Sequence, residues 1–187
     1  MDDIVKAALK KWPNVPNCHD WLALDARGDW YLRDEQAQQA GLFPQVKGSR
    51  IEHDKLKAFI GRNYEADAQG AWFFQNGPQR VYVWLEAAPW VLGVQADQGD
   101  ALGCRIETHT GLPIQEVREV LLDEHGRVFL VTERGLGVVR SMDMLAASEV
   151  IQAQGWAPQE VTFATLPGRF GYVLRPQPEA LASTVPA

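Results

Sequence analysis

Asp25-Ala26-Arg27-Gly28, followed by Asp29-Trp30-Tyr31-Leu32, is the stretch whose reading decides the fold. Its pattern returns twice. Asp67-Ala68-Gln69-Gly70 precedes Ala71-Trp72-Phe73-Phe74, and Asp123-Glu124-His125-Gly126 precedes Arg127-Val128-Phe129-Leu130. An aspartate opening a tight turn accepts from backbone N–H groups two residues on, and a glycine in fourth place supplies the positive φ of a bulged exit. Each stretch therefore predicts a hairpin turn feeding a short aromatic or β-branched strand. One copy is an ordinary turn. Three copies, each followed by an apolar strand, predict a repeated supersecondary unit.

Outward from the first and third turns the pattern continues into helices. Ser49-Arg50-Ile51-Glu52 is a capping-box spacing, and Ile51, Leu56, Phe59 and Ile60 form a helical face to about Gly61. Ser141 opens a second such run, with Met142, Leu145, Val150 and Ile151 apolar and Gly155 beyond it. The predicted unit is strand, tight turn, strand, helix, near residues 20–61 and again near 117–155. Residues 2–12 predict an amphipathic helix of Ile4, Val5, Ala8, Leu9 and Trp12, stopped by Pro13, with Asp2 and Asp3 at its positive end and Lys10 and Lys11 at the other.

Between the units, Val81-Tyr82-Val83-Trp84-Leu85 reads as a strand paired with Trp72–Phe74 across Gln75-Asn76-Gly77-Pro78. A further strand is expected over Trp90–Val94, and two more over Cys104–Thr108 and Glu116–Leu122 around a turn at His109–Pro113. Gly135 and Gly137 read as a second turn between Phe129–Thr132 and Val138–Arg140, since they lack the third glycine of a dinucleotide fingerprint. Pro167-Gly168 predicts a final hairpin between Val161–Leu166 and Phe170–Leu174. The expected fold class is α+β: antiparallel hairpins and sheets with packed helices, in two repeated lobes. The first spans 1–95 with the N-terminal helix, the second spans 104–175 with a C-terminal hairpin, the Gly/Asp/Gln-rich residues 95–103 mark the boundary, and 176–187 form a disordered tail.

The 187 residues carry 18 Lys+Arg against 24 Asp+Glu, a formal charge of -6, with the basic residues scattered. That balance disfavours nucleic acid and anionic membrane surfaces as partners. Only Cys18 and Cys104 occur, too few for a disulfide scaffold, and no apolar run approaches the ~18 residues of a membrane span. The N-terminus does not read as a signal peptide, so the cytoplasm is the expected location.

Some residues resemble a known family. Cys18-His19-Asp20-Trp21, Gly28-Asp29-Trp30-Tyr31-Leu32, Phe59-Ile60-Gly61-Arg62-Asn63-Tyr64, Trp72 to Val81 (WFFQNGPQRV) and Ala88-Pro89-Trp90-Val91 resemble an uncharacterised proteobacterial family of unknown function, over most of residues 1–150. The order Cys-x-Asp, Gly-x-Trp, helix, aromatic strand, Ala-Pro-aromatic-Val is similar to a second unknown-function family of repeated α+β motifs with a proposed signalling role. On both resemblances, the segment 160–174 and the tail are extra. Neither family implies catalytic residues.

The candidate chemistry is sparse. Cys18-His19-Asp20 holds nucleophile, base and acid side by side, but adjacent residues of an extended segment point to opposite faces, so a thiol enzyme requires a distant His53 or His109 as base. His19, His53, His109 and His125 show no ligand spacing, and neither metal nor cofactor is expected. The site candidate is the polar set Arg62, Asn63, Tyr64, Asn76, Gln79 and Arg80, where a helix exit and a hairpin turn meet in sequence. Its guanidinium, amide and phenol groups suit a carboxylate, a phosphate or a peptide backbone. The leading expectation is a non-enzymatic binding or regulatory protein, signalling included, acting through an unknown protein or a small anionic ligand. The alternatives are a small thiol hydrolase using Cys18 and a structural subunit, with a homodimer among the partners considered.

Overall fold

The computed structural model describes residues 1–97 and 103–178. Two sheets face each other. The first contains β1 (Cys18–Leu24), β2 (Trp30–Leu32), β3 (Ser49–Arg50), β4 (Tyr64–Ala66), β5 (Trp72–Asn76) and β6 (Gln79–Leu85), in the order β3-β2-β1-β6-β5-β4. The second contains β7 (Trp90–Ala96), β8 (Cys104–Thr108), β9 (Pro113–Ile114), β10 (Val117–Asp123), β11 (Val128–Thr132), β12 (Gly135–Val139) and β13 (Gln159–Val161), in the order β13-β10-β11-β12-β7-β8-β9. The helices are α1 (Asp3–Lys11), α2 (Glu35–Ala40), α3 (Asp54–Arg62), α4 (Met144–Ala153) and α5 (Leu166–Phe170).

The α+β class holds, and so does the repeated unit. In each lobe an Asp-x-x-Gly hairpin begins an antiparallel meander, β1-β2-β3 in one and β10-β11-β12 in the other. A helix follows, α3 or α4, and the chain later returns a strand parallel to the first one, β6 beside β1 and β13 beside β10. Parallel pairing also joins β12 to β7. The sheets are therefore mixed, where the hairpin pattern alone led to an antiparallel expectation. Turns determine only which neighbours in sequence pair, whereas these three pairings join strands distant in sequence.

Five local expectations are corrected. Gly135 and Gly137, expected in a turn, lie in β12 paired with Thr132 and Leu130, and the reversal falls at Glu133-Arg134. Trp90–Ala96, expected in the first lobe, is a strand of the second sheet, paired with Cys104–Thr108 and with β12. The expected C-terminal hairpin is helical: Phe163–Thr165 form a 3-10 turn that runs into α5. Proline is tolerated in a first helical turn, where its missing N–H has no partner to lose, and Gly171 at φ 64 closes the helix. Ser49 belongs to β3, and α3 is capped instead by His53, whose side chain accepts from the Leu56 N–H. Ser141 starts a 3-10 turn ahead of α4. The expected boundary and tail fall largely outside the described residues, at 98–102 and 179–187.

All three aspartate turns have the same bonding. Oδ1 of Asp25 accepts from Arg27 N and Asp29 N at 2.9 and 3.0 Å. Asp67 does so from Gln69 N and Ala71 N at 3.0 and 2.9 Å, and Asp123 from His125 N and Arg127 N at 3.0 and 2.8 Å. The glycines take φ of 88°, 78° and 74°. The spare oxygen of each aspartate goes elsewhere: to the Lys47 ammonium, to the Tyr82 hydroxyl and to the Arg127 guanidinium.

Strand alternation then sorts the aromatics. Leu22, Leu24, Trp30, Tyr64, Phe74, Val83 and Leu85 face the second sheet and share one core with Val91, Leu92, Ile106, Leu121, Phe129 and Val138. Trp30, Tyr64, Trp72, Trp90 and His109 pack there edge to face or tilted. The other face of the first sheet carries Tyr31, Ala23, Trp84, Tyr82, Phe73, Gln75 and Arg80, which the strand registers place side by side. The described part of the chain covers much of this outer face itself. Phe43 packs on Trp84 and Tyr31, and the segment after α5 crosses the sheet, with Val173 on Phe73 and Tyr82.

Candidate functional site

The six residues singled out in the sequence do not converge. Arg62, at the end of α3, pairs with the carboxylate of Asp2 at 3.2 Å. The buried Asn63 accepts from Asp2 N at 2.7 Å and donates to Phe59 O at 2.9 Å. These two residues tie α1 onto α3. Tyr64 points the other way, into the core, donating to Pro89 O at 3.0 Å, and burial pushes its phenol well above the ordinary range. Asn76 is exposed at the end of β5, and Gln79 donates to Pro16 O at 3.0 Å. Of the six, Arg80 lines the groove described next, and Gln79 anchors the loop that forms one rim.

That cavity is an open groove of about 920 Å³ on the outer face of the first sheet. Its floor is β6, where Arg80 and Tyr82, two residues apart, point the same way. The Arg80 guanidinium lies 4.5 Å over the Phe73 ring, beside the Tyr82 hydroxyl, and forms no ion pair among the described residues. The Tyr82 hydroxyl donates to Asp67 Oδ2 at 2.9 Å. Burial and this carboxylate both raise the phenol above its ordinary range, so it stays protonated. His19 stacks on the Tyr82 ring at 4.6 Å, and burial lowers its imidazole below the ordinary value, so the ring enters the groove neutral at pH 7.

One wall is the C-terminal segment, through Val173, Pro176, Gln177 and Pro178. Three hydrogen bonds seat it: Val173 N to Gly70 O at 3.1 Å, Leu85 N to Leu174 O at 2.8 Å, and the Tyr172 hydroxyl to Ala87 O at 2.8 Å. Arg175 then forks onto Asp20, with Nε and Nη2 each 3.1 Å from one carboxylate oxygen, and lies 4.2 Å over Trp84. Asp20 has φ 64, at the place where β1 slips register against β6. The bulge turns its carboxylate toward this C-terminal strap of residues 172–178.

The groove is thus a polar trough whose floor holds Arg80, a cation without an ion pair among the described residues. Its two carboxylates are already occupied, Asp20 by Arg175 and Asp67 by two backbone N–H groups and a phenol. A smaller cleft of about 330 Å³ lies between the first and third aspartate turns, lined by Arg27, Lys47, Glu86 and Arg127. Lys47 binds Asp25 and Glu86 there, and Arg127 binds Asp123, so these charges hold the lobes' turns. Among the described residues no group of three or more His, Cys, Asp or Glu side chains is placed to hold a metal ion, and no helix is long and apolar enough to cross a membrane. Burial raises the Cys18 thiol, which lowers its thiolate fraction.

Tyr82 escaped the site reading, and Asp20 entered it only as the acid beside Cys18 and His19. The i, i+2 spacing of Arg80 and Tyr82 on one strand is the signal that finds the first. Nothing local announces the contact between Asp20 and Arg175, which lie 155 residues apart.

A family model described as "Protein of unknown function (DUF2946)" matches residues 1–177. The match runs through 160–174, so α5 and most of the strap lie within the family's extent and are not an addition to it. Two solved structures are similar to this chain. A DUF1285 family protein from Shewanella baltica OS155 has 18% identity and a TM-score of 0.47, over 70% of this chain and 91% of that one. A DUF1285 family protein from Silicibacter pomeroyi DSS-3 has 10% identity and a TM-score of 0.48, over 74% and 72%. No curated protein matches.

Proposed function

For a chain that belongs to the family DUF2944, whose description names no activity, we propose a non-enzymatic binding or regulatory role exercised through the groove on the outer face of the first sheet. The ligand is a small anion, or an acidic group of a partner protein, seated against Arg80. The observation that carries this reading is the Arg80 guanidinium, fixed over Phe73 in an open trough with no carboxylate partner among the described residues. An arginine so held forks onto a carboxylate or phosphate at little cost in side-chain ordering. Neutral His19 and the Tyr82 phenol supply the adjoining polar and stacking contacts, and Gln79 steadies the rim. A regulatory role, signalling included, follows if the acidic group belongs to another protein. The thiol-enzyme alternative gains no support, because the Cys18 thiol is shifted away from reactivity.

The test is a thermal-shift screen of the full chain with citrate, inorganic phosphate and nucleoside monophosphates, repeated with Arg80→Ala and Arg62→Ala. A shift that Arg80→Ala abolishes and Arg62→Ala leaves intact supports the reading. A shift that survives in Arg80→Ala, or its absence across all of these anions, contradicts it.

A further inference from the structure

The wall of the groove is a separable piece of chain. Residues 172–178 leave α5 at Gly171, whose left-handed backbone ends the helix, and lie across the first sheet. At their far end they form the part-buried ion pair Asp20–Arg175, the one ion pair of this segment among the described residues. Trp84 sits under two guanidinium groups, Arg175 at 4.2 Å and Arg33 at 5.1 Å. Arg33 is 1% exposed, donates to Ala37 O and Gly41 O, and leaves its Nε without a partner. It cannot move away. Asp20 is the carboxylate that favours its charge, and Arg175 is the cation that opposes it. Asp20 therefore binds Arg175 directly while it offsets the like charge of the fixed Arg33 on the same Trp84 ring.

We propose that this strap assembles the groove: docking of residues 172–178 through the Asp20–Arg175 latch completes the binding site, and release of the latch dismantles it. The inference rests on the groove being the ligand site. A ligand against Arg80 touches both the β6 floor and the Pro176–Pro178 wall, so strap docking and ligand binding reinforce each other, and the coupling is reciprocal. Without Asp20, the buried Arg33 repels Arg175, and Arg175 is the one free to leave.

Hydrogen exchange by mass spectrometry on the full chain, with and without citrate, tests this. Asp20→Asn keeps the side-chain shape and is compatible with the left-handed backbone. It should speed exchange at the amides of Val173, Leu174, Arg175 and Gln177 about fivefold, the scale of one part-buried ion pair, with β10 to β12 unchanged. Arg175→Gln removes the repulsion as well as the pair and should speed exchange less. The double variant should match Arg175→Gln alone, so adding the second substitution to Asp20→Asn slows the strap again. Citrate should slow strap exchange in the wild type and bind Asp20→Asn about fivefold more weakly. Unchanged strap exchange in Asp20→Asn, a rise spread over both sheets, or a double variant faster than either single one overturns the latch. A released strap with citrate affinity unchanged overturns the coupling. If citrate binds neither protein while the order of exchange rates holds, the latch stands and the anion reading of the groove falls.

Discussion

At the scale of the residue, one aspartate does the work of a turn. Its first oxygen accepts two backbone N–H groups that the bend would otherwise leave unpaired, and its second oxygen takes a side chain: Lys47, Tyr82 or, within the same turn, Arg127. Asp123 has a fully buried side chain. Asp123→Ala therefore strands two N–H groups and the Arg127 guanidinium, and should cost about 2–3 kcal/mol in urea denaturation. Asp123→Asn keeps an acceptor for the turn and loses the ion pair, so it should cost about half as much. Equal losses would show that the turn bonds contribute nothing. His109 acts in the opposite sense, as a buried group without a full set of partners. Its Nδ1 accepts from Val91 N at 3.2 Å, which leaves the proton of the neutral ring on a buried Nε2 with no partner. Burial lowers its pKa from 6.5 to about 3. Above pH 6.5 the ring is neutral folded or unfolded. Below it, the unfolded chain takes up a proton that the folded chain refuses until about pH 3, so stability falls by about 1.4 kcal/mol per pH unit across that window. Burial raises the Asp25 carboxyl, but Lys47 and two backbone donors outweigh it and hold it below the ordinary range, so it too loses stability in acid. His109→Gln should flatten the fall between pH 6 and 4 by one proton's worth while the Asp25 contribution persists. An unchanged slope would contradict the buried neutral ring. The sequence places His109 in a turn and offers it as a distant base, but does not show its burial, which comes from Gly28 and Trp30 across the core.

At the scale of the element, the three turns look alike in sequence and differ in what surrounds them. Nothing approaches a β-carbon placed on Gly126, whereas one on Gly70 would overlap the Gly171 carbonyl at the root of the strap. Gly126→Ala should therefore cost only the left-handed backbone penalty, about 1–2 kcal/mol. Gly70→Ala should cost clearly more in the same thermal or urea assay and should loosen residues 171–174. Equal costs would mean that the strap does not press on this turn. The first hairpins and the three longer helices, α1, α3 and α4, were legible because their signals are local: turn chemistry, alternation and a 3.6-residue period. The helix at Leu166–Phe170 was misread because Pro167-Gly168 satisfies both a turn and a first helical turn. The deciding residues are Leu166, fully buried against the core, and Gly171, which closes the helix.

At the scale of the whole molecule, the two lobes are not separate bodies. Trp30, Tyr64 and Phe74 from the first sheet and Trp90, Val91 and Phe129 from the second belong to one apolar core. That shared face leaves the first sheet's opposite face to be covered by loops and by the C-terminal segment, and the groove is the part they leave open. The parallel pairings and the strap are contacts between residues far apart in sequence, which no local pattern encodes. For the same reason Arg62, Asn63 and Arg80, neighbours in a plausible sequence cluster, divide between a helix anchor and a groove. The most direct measurement is an amide NMR titration of the full chain with citrate. Perturbed amides at 17–20, 67–71, 80–82, 173–175 and 177 are the predicted result. Perturbations centred on Asp2, Arg62 and Asn63, or spread without focus, would contradict the placement of the ligand in this groove.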